Sequence, residues 1–478
     1  MIIKTKTNRI MKATNLRLKK ITIVITIIIL LPFLANAQWG PIRNITPNAM
    51  LAYVNENAYP CLAISGDTLH IVYADTRSQG NAIYYLNSHD AGVTWSNPVA
   101  ITDTMGKTRM PSLAVLGYAI HVVWLDTVNG VKQSFYKQSL DGGITWSNNF
   151  CLDTNTVFWP GISVNGQMVV ATLNKLVTPT NTEVFIMISL DNGATWGPEI
   201  QISNADGRSE DPAVALQSSQ IHISWNDKRT GTMEIYYRRS LDAGATWGPE
   251  TPLTNSDSYS SMVSIDGNHV DVPCGKTLNT HIEVYMNQSS DSGATFGASQ
   301  QITHDSLGDA YPYLLRNGMD LYMVYMQFQV GHQSPFYLHS GDGGATWDSA
   351  ISFGPGGQPF IVITDCALHL IFPDSGKIRY VVNSLCNTSG INQPNQSLQL
   401  LVYPNPSNAQ TTIELLSDIP NDQVEIKIFN VLGEEVINTN FGKDQKIIIN
   451  RNQVNSGIYF YRIIHNNEVI KSGKILFY

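Results

Sequence analysis

Ser88-His89-Asp90-Ala91-Gly92-Val93-Thr94-Trp95 is the first of six copies of one pattern, Ser-x-Asp-x-Gly-x-Thr-aromatic. The others run from Ser139 to Trp146, Ser189 to Trp196, Ser240 to Trp247, Ser289 to Phe296 and Ser340 to Trp347. Their aspartates, Asp90, Asp141, Asp191, Asp242, Asp291 and Asp342, are spaced 51, 50, 51, 49 and 51 residues apart. A fixed period of that length marks a propeller or a solenoid. The motif reads as a hairpin turn, in which Asp accepts hydrogen bonds from backbone N–H groups just ahead and Gly supplies a positive φ. A catalytic site occurs once, whereas a folding staple recurs in every repeat, so the six aspartates are assigned a structural role.

Each period holds four short runs with strand character. In the first they are Cys61–Ser65, Thr68–Tyr73, Ala82–Asn87 and Trp95–Thr102; in the fourth, Ala213–Leu216, Gln220–Trp225, Glu234–Arg239 and Trp247–Leu253. Alternation, β-branched and aromatic enrichment and Gly/Asn/Asp turns argue for strands, and no segment reads as an amphipathic helix. Three more runs, Phe360–Thr364, Ala367–Phe372 and Ile378–Asn383, follow the last motif without a seventh copy. At the other end Trp39-Gly40-Pro41-Ile42-Arg43-Asn44-Ile45-Thr46 mimics the strand after a motif, as in Trp196-Gly197-Pro198-Glu199-Ile200-Gln201-Ile202-Ser203. One N-terminal strand plus three C-terminal ones complete a seventh blade and close a ring, which removes free sheet edges. The expected fold is therefore all-β, a seven-bladed (alternatively six-bladed) β-propeller over residues 38–386.

The two ends speak of export. Residues 1–37 have the form of a signal peptide: seven basic residues, an apolar run from Ile21 to Leu34 and a small-x-small site, Ala35-Asn36-Ala37. No later stretch is long and apolar enough for a second span, so the mature chain is expected to have no transmembrane segment. Residues 387–398 form a polar, turn-rich linker. Residues 399–478 change texture, with six runs that read as a small Ig-like β-sandwich. Its markers are Tyr403-Pro404-Asn405-Pro406, Phe429-Asn430-Val431-Leu432-Gly433 and Ser456-Gly457-Ile458-Tyr459-Phe460.

These two motif sets carry two resemblances. The repeat resembles the Asp box (BNR repeat) of sialidase-like propellers, whose familiar member has six blades. The tail resembles the type A sorting domains of type IX secretion cargo in Bacteroidetes, and implies translocation by that machinery followed by surface attachment or release. The expected location is the cell surface or the medium.

Between residues 38 and 387 there are 16 basic and 30 acidic residues, a balance of −14. So acidic a body excludes nucleic acid, whose binding rests on clustered cations, and an acidic sugar would need a local cationic patch. Five cysteines (Cys61, Cys151, Cys274, Cys366, Cys386) show no metal spacing, and their odd number leaves one unpaired within the chain. Cys366 and Cys386 are the pair to test for a disulfide. Neither metal nor cofactor is implied.

Chain direction places the loops opposite the Asp boxes at the channel mouth, the default ligand site of such a ring. Candidate ligand-binding residues there are Asp75, Arg77, Arg109, Trp159, Asp211, Asp227, Arg229 and Tyr311. The repeated Asp-x-Arg unit, Asp75/Arg77 and Asp227/Arg229, also reads as a loop-fixing ion pair. The sialidase resemblance implies three Arg on a substrate carboxylate, an Asp acid/base and a Tyr–Glu nucleophile. Where that family begins its first blade with Arg-Ile-Pro, this chain has Ala58-Tyr59-Pro60; Arg109-Met110-Pro111 restores the pattern one blade later. Catalytic candidates are thus Arg77, Arg109, Asp211, Glu210 and Tyr311, with Tyr259 a further tyrosine, and the Arg set is incomplete. Two functions remain open: a glycan- or protein-binding surface propeller, and an exo-sialidase or other glycan hydrolase.

Overall fold

The computed structural model describes residues 39–49, 52, 60–76, 81–102, 108–278, 280–385 and 400–478, the last span interrupted at 404, 406, 408, 416–423, 432, 443, 466–467 and 478. The expected signal peptide, the linker, Tyr59, Arg77 and Cys386 lie outside the described residues. Every regular element among the described residues is a strand, and no helix is long and apolar enough to cross a membrane. The chain divides into two compact units, Met1–Cys386 and Asn387–Tyr478.

The large unit holds seven antiparallel sheets. Sheet 1 runs Leu62–Ser65, Thr68–Asp75, Ala82–Ser88 and Val99–Ala100 in chain order. The first strands of sheets 2 to 4 are Arg109–Leu116, Thr156–Asn165 and Ser209–Gln217. Those of sheets 5 to 7 are Ser264–Asp266, Gly308–Asn317 and Phe360–Ile363. Each packs on the first strand of the next sheet, and Phe360–Ile363 packs on Leu62–Ser65. Sheet 7 takes its outer strand from the other end of the chain: Arg43 pairs with Tyr380 and Asn44 with Arg379, flanked by a bridge between Trp39 and Asn383. The outer strands are shorter than the sequence suggests, only Val99–Ala100 in sheet 1. The box turn uses the preceding residues, and Pro98 has no N–H for a ladder.

Each Asp box closes on itself. Asp90 accepts from the Thr94 N–H (2.8 Å), the Thr94 hydroxyl (2.6 Å) and the Ser88 hydroxyl (2.8 Å), while Ser88 Oγ accepts from the Gly92 N–H at 2.8 Å. The five other boxes repeat this set. Hydrogen bonds from Thr145 hold the Asp141 carboxyl down at about 2, and Thr195 does the same for Asp191. The carboxylates are spent on their own turns.

The boxes also join neighbouring sheets. In sheets 1, 2, 4 and 7 a buried His bonds a buried Tyr: His70–Tyr85 and His121–Tyr136 at 2.7 Å, His222–Tyr237 at 2.5 Å and His369–Tyr380 at 2.7 Å. Each tyrosine packs edge-on against the aromatic of the following box, Trp146, Trp196, Phe296 and Trp95 respectively. The last of these contacts carries the series from sheet 7 back to sheet 1.

Burial lowers all four histidines to about 4, with His89 adding to the effect at His70 and Arg239 at His222. Their folded values lie below the unfolded 6.5, so the stability they give is full above pH 6.5 and is lost as pH falls towards 4. Stability should fall by up to about 1.4 kcal/mol per pH unit per histidine in that window. Thermal melts at stepped pH check this: His222→Gln should flatten the slope, and an unchanged slope in that variant contradicts the assignment.

The second unit is a two-sheet sandwich. Leu400–Tyr403, Gln410–Leu415 and Lys446–Asn450 form one sheet; Glu435–Asn440, Val424–Phe429, Gly457–His465 and Glu468–Phe477 form the other. Ile413 and Ile449 from the first share a core with Ile426, Ile428, Tyr461 and Phe477 from the second.

Among the cysteines, Cys151 and Cys274 are free thiols, Cys61 donates its thiol hydrogen to the Pro111 carbonyl at 3.0 Å, and Cys366 is disulfide-bonded.

Candidate functional site

Five sheets of the large unit open with one distortion. Met110, Trp159, Asp211, Ser260 and Tyr311 have φ of 56°, 26°, 55°, 55° and 54°, and all but Ser260 precede a proline. Pairing with the second strand skips at these points in sheets 2, 3, 4 and 6. In sheet 5 the first strand is split between Ser258–Tyr259 and Ser264–Asp266. A non-glycine residue held in the left-handed region costs on the order of 1–3 kcal/mol and persists where the surrounding structure demands it. The disfavoured pre-proline position makes a chance origin harder, and a bulge re-aims its side chain. All five lie at the end away from the Asp boxes, because first and third strands start together and the boxes follow the third strands.

The structure sorts the described sequence candidates into two kinds. Asp227 is fully buried and accepts from Arg229 (2.7, 2.8 and 2.9 Å), Trp225 Nε1 (2.9 Å) and Ser209 Oγ (3.0 Å). Burial pushes its carboxyl up, and these hydrogen bonds outweigh burial and hold it below the usual range. Arg229 also pairs with Glu250 at 2.5 Å and lies 4.2 Å from the Tyr236 ring centroid. In this Asp-x-Arg unit the guanidinium is engaged as a loop brace. Asp75 is equally buried. Glu210 is bonded by Arg208, and Tyr259 gives its hydroxyl hydrogen to Asp257, not to a glutamate.

Arg109, Trp159, Asp211 and Tyr311 are half-buried at the ends of sheets 2, 3, 4 and 6 away from the Asp boxes. Arg109 stands near Lys132, whose ammonium is lowered by burial and then by Arg109. The Tyr311 ring lies 6.3 Å from that of Phe328. Asp211 receives a hydrogen bond from Asn226 Nδ2 at 2.9 Å. Burial, and then Glu210, raise the Asp211 carboxyl to about 8, against the smaller opposing effects of Asn226 and Arg208.

Sequence reasoning missed two residues here. Asn226 occupies the second-strand position held by Ala74, Leu125, Gly275 and Met326 in other sheets, and Asn174 is its counterpart in sheet 3. An amide among apolar equivalents is a signal that a repeat alignment exposes. Asp309, fully buried two residues before Tyr311, is raised to about 7 by burial and then by Asp305; nothing in its sequence context marks it.

Both acids have folded values above the unfolded value near 4. The stability they contribute is therefore full below about pH 4 and is lost as pH rises through 7 and 8. Between neutral pH and about pH 9 Asp211→Asn should lose less of its melting temperature than the parent protein, keeping only the smaller loss from Asp309. Equal alkaline loss in both proteins contradicts a buried proton at Asp211.

Comparison with known proteins places these features. The BNR repeat-like domain family matches residues 23–272, and the secretion system C-terminal sorting domain family matches residues 401–477. No curated protein matches the chain. Two structures of an ulvan lyase, a family PL25 polysaccharide lyase, share the fold. The one bound to -[GlcA(1-4)Rha3S]- is 12% identical, with TM-score 0.52, over 71% of this chain and 95% of its own. The other is 11% identical, with TM-score 0.51, over the same shares. A Trypanosoma rangeli sialidase in complex with sialic acid reaches 0.41 at 11% identity, over 89% of this chain and 80% of its own, too weak a likeness to argue from. With its six Asp boxes and its matched tail, the chain belongs to the BNR repeat-like domain family and ends in a secretion system C-terminal sorting domain.

Proposed function

We propose that this protein is an exported surface or secreted propeller that binds a glycan or protein ligand at its channel mouth. An N-terminal signal carries it across the inner membrane. The Ig-like tail then hands it to the type IX machinery, which releases it or fixes it at the surface. The large unit is a single ring of seven blades, a reading supported by the cyclic packing of first strands and by the sheet that both chain ends share. Six blades would leave one of the seven sheets outside the ring.

The observation that carries the binding site is the left-handed residue at the same mouth-side position of five sheets. The left-handed non-glycine residues of the opposite rim, Ala91, Asn192, Ser218, Ala243 and Ser292, sit in hairpin turns; these five instead interrupt the pairing of first strands, which supports a functional use of that rim. Glycan arrays probed with the exported chain test the reading: saturable binding, weakened at least about tenfold by Trp159→Ala, is expected from the loss of one aromatic platform. Binding that ignores every mouth substitution overturns it.

One observation favours a second reading, glycan hydrolysis at the same mouth. A carboxyl raised to about 8 is the kind of group that protonates a leaving oxygen at neutral pH. Turnover of fluorogenic glycosides, lost in Asp211→Asn, would move the assignment from binding to catalysis.

A further inference from the structure

A surface cavity of about 320 Å³ lies away from the mouth, at the seam where the N-terminal strand meets the Asp box of sheet 1. Its walls are Arg43, Asn44, Ile45, Thr46, Pro47 and Asn48 on one side and residues 93–98 on the other. Among the described residues no aspartate or glutamate lines it, although residues 38–387 together carry a balance of −14. The lining is a guanidinium, three asparagines (Asn44, Asn48, Asn97), hydroxyls and the half-buried Trp95 ring.

Arg43 is held in place by neutral groups. Its guanidinium donates to the Val93 carbonyl at 3.1 Å and to that of Gly92, and stands 5.0 Å from the Tyr380 ring centroid. Those contacts fix the cation without neutralising it and leave further N–H donors of its five. A second cation, the Lys377 ammonium, lies behind the wall: it donates to the Pro47 carbonyl at 3.2 Å and to that of Ala49. The carboxylate nearest in sequence, Asp374, is already paired with Arg379 at 2.8 Å. Two cations held by carbonyls, amides able to donate and an aromatic wall make a local positive site on an acidic body. The cavity is at the lower end of the size range of small-molecule sites.

We infer that this seam cavity binds an acidic saccharide unit, with Arg43 on its carboxylate and the asparagines on its hydroxyls. The site is separate from the mouth. Because its walls come from the first described strand and from sheet 1, an occupant bridges the two chain segments that meet where the ring closes. Binding should therefore stabilise the fold by linkage.

The test is titration of the full exported chain with glucuronate, glucose and inorganic sulfate, read by calorimetry and by melting temperature. Glucuronate should bind and raise the midpoint by about 3 °C near one hundred times Kd. Glucose and sulfate should each bind at least about tenfold more weakly. Asn48→Asp and Asn97→Asp change exposed side chains and place a carboxylate in the cavity; each should weaken glucuronate about tenfold or more while leaving the ligand-free midpoint unchanged. Sulfate binding as tightly as glucuronate would reduce the site to a simple oxyanion site and overturn the saccharide assignment. Equal binding of glucose would overturn the charge argument. Undiminished glucuronate affinity in both variants would overturn the location, and absence of any binding would overturn the whole inference.

Discussion

Gly193→Ala should cost about 2–5 kcal/mol of stability. Gly193 sits at φ +82°, and a Cβ there would lie 1.8 Å from Tyr136 Oη and 2.7 Å from Gln138 Oε1. Tyr136 cannot simply swing away. Its hydroxyl bonds His121 at 2.7 Å and Gln138 at 2.8 Å, and its ring packs 4.9 Å from Trp196. Overpacking a tight contact costs about 1–3 kcal/mol, and the left-handed backbone adds about 1–2 for a residue with a Cβ. Gly117→Ala separates the two contributions, because Gly117 has φ +60° and nothing within 4 Å of the added carbon. It should show the backbone cost alone. Denaturant midpoints of the two variants give the comparison, and equal losses would mean that the Tyr136 contact is not tight. Adding Tyr136→Phe to Gly193→Ala should recover part of the loss.

Arg316→Met should cost about 3–5 kcal/mol by a different route. Sheets 5 and 6 are joined not by a His–Tyr pair but by an ion pair. Arg316 Nε and Nη2 lie 2.5 and 2.8 Å from the Asp271 carboxylate, and the two side chains are 2% and 0% exposed. Gln288 completes the junction, donating to Asp271 and to the Gly343 carbonyl of the sheet 6 box, each at 2.9 Å. Removing the guanidinium strands a buried carboxylate, whereas removing both charges does not. Arg316→Met with Asp271→Leu should therefore be more stable than Arg316→Met alone, and urea unfolding of both reads the difference. A double variant as unstable as the single one would assign the loss to packing.

The fold was legible because its period is carried by residues with one local task. Asp90, Gly92 and Thr94 build their turn from neighbours four residues away at most, so a sequence pattern suffices. The matching of Trp39–Thr46 to the strand after each box anticipated the pairing of Arg43 with Tyr380. The site was less legible, since its chemistry arises from burial and from contacts across strands. Asp227 and Arg229 read equally well as ligand groups or as a brace, and only the five hydrogen bonds on Asp227 separate these. Asp211 stood out in sequence at the start of its first strand, but the upward push on its carboxyl depends on burial and on Glu210 beside it. The His–Tyr junctions were missed because each partner lies on a different strand and each box on the next sheet.

The account rests on the mouth-side rim, not the Asp-box rim, as the place where ligand binds. Hydrogen–deuterium exchange of the exported chain, with and without a saturating glycan identified on the array, tests this most directly. The prediction is protection at 158–161, 209–213 and 226–229, with the Asp-box turns unchanged. Protection confined to the box turns around Asp141, Asp191 and Asp242, with the mouth segments unchanged, would contradict it.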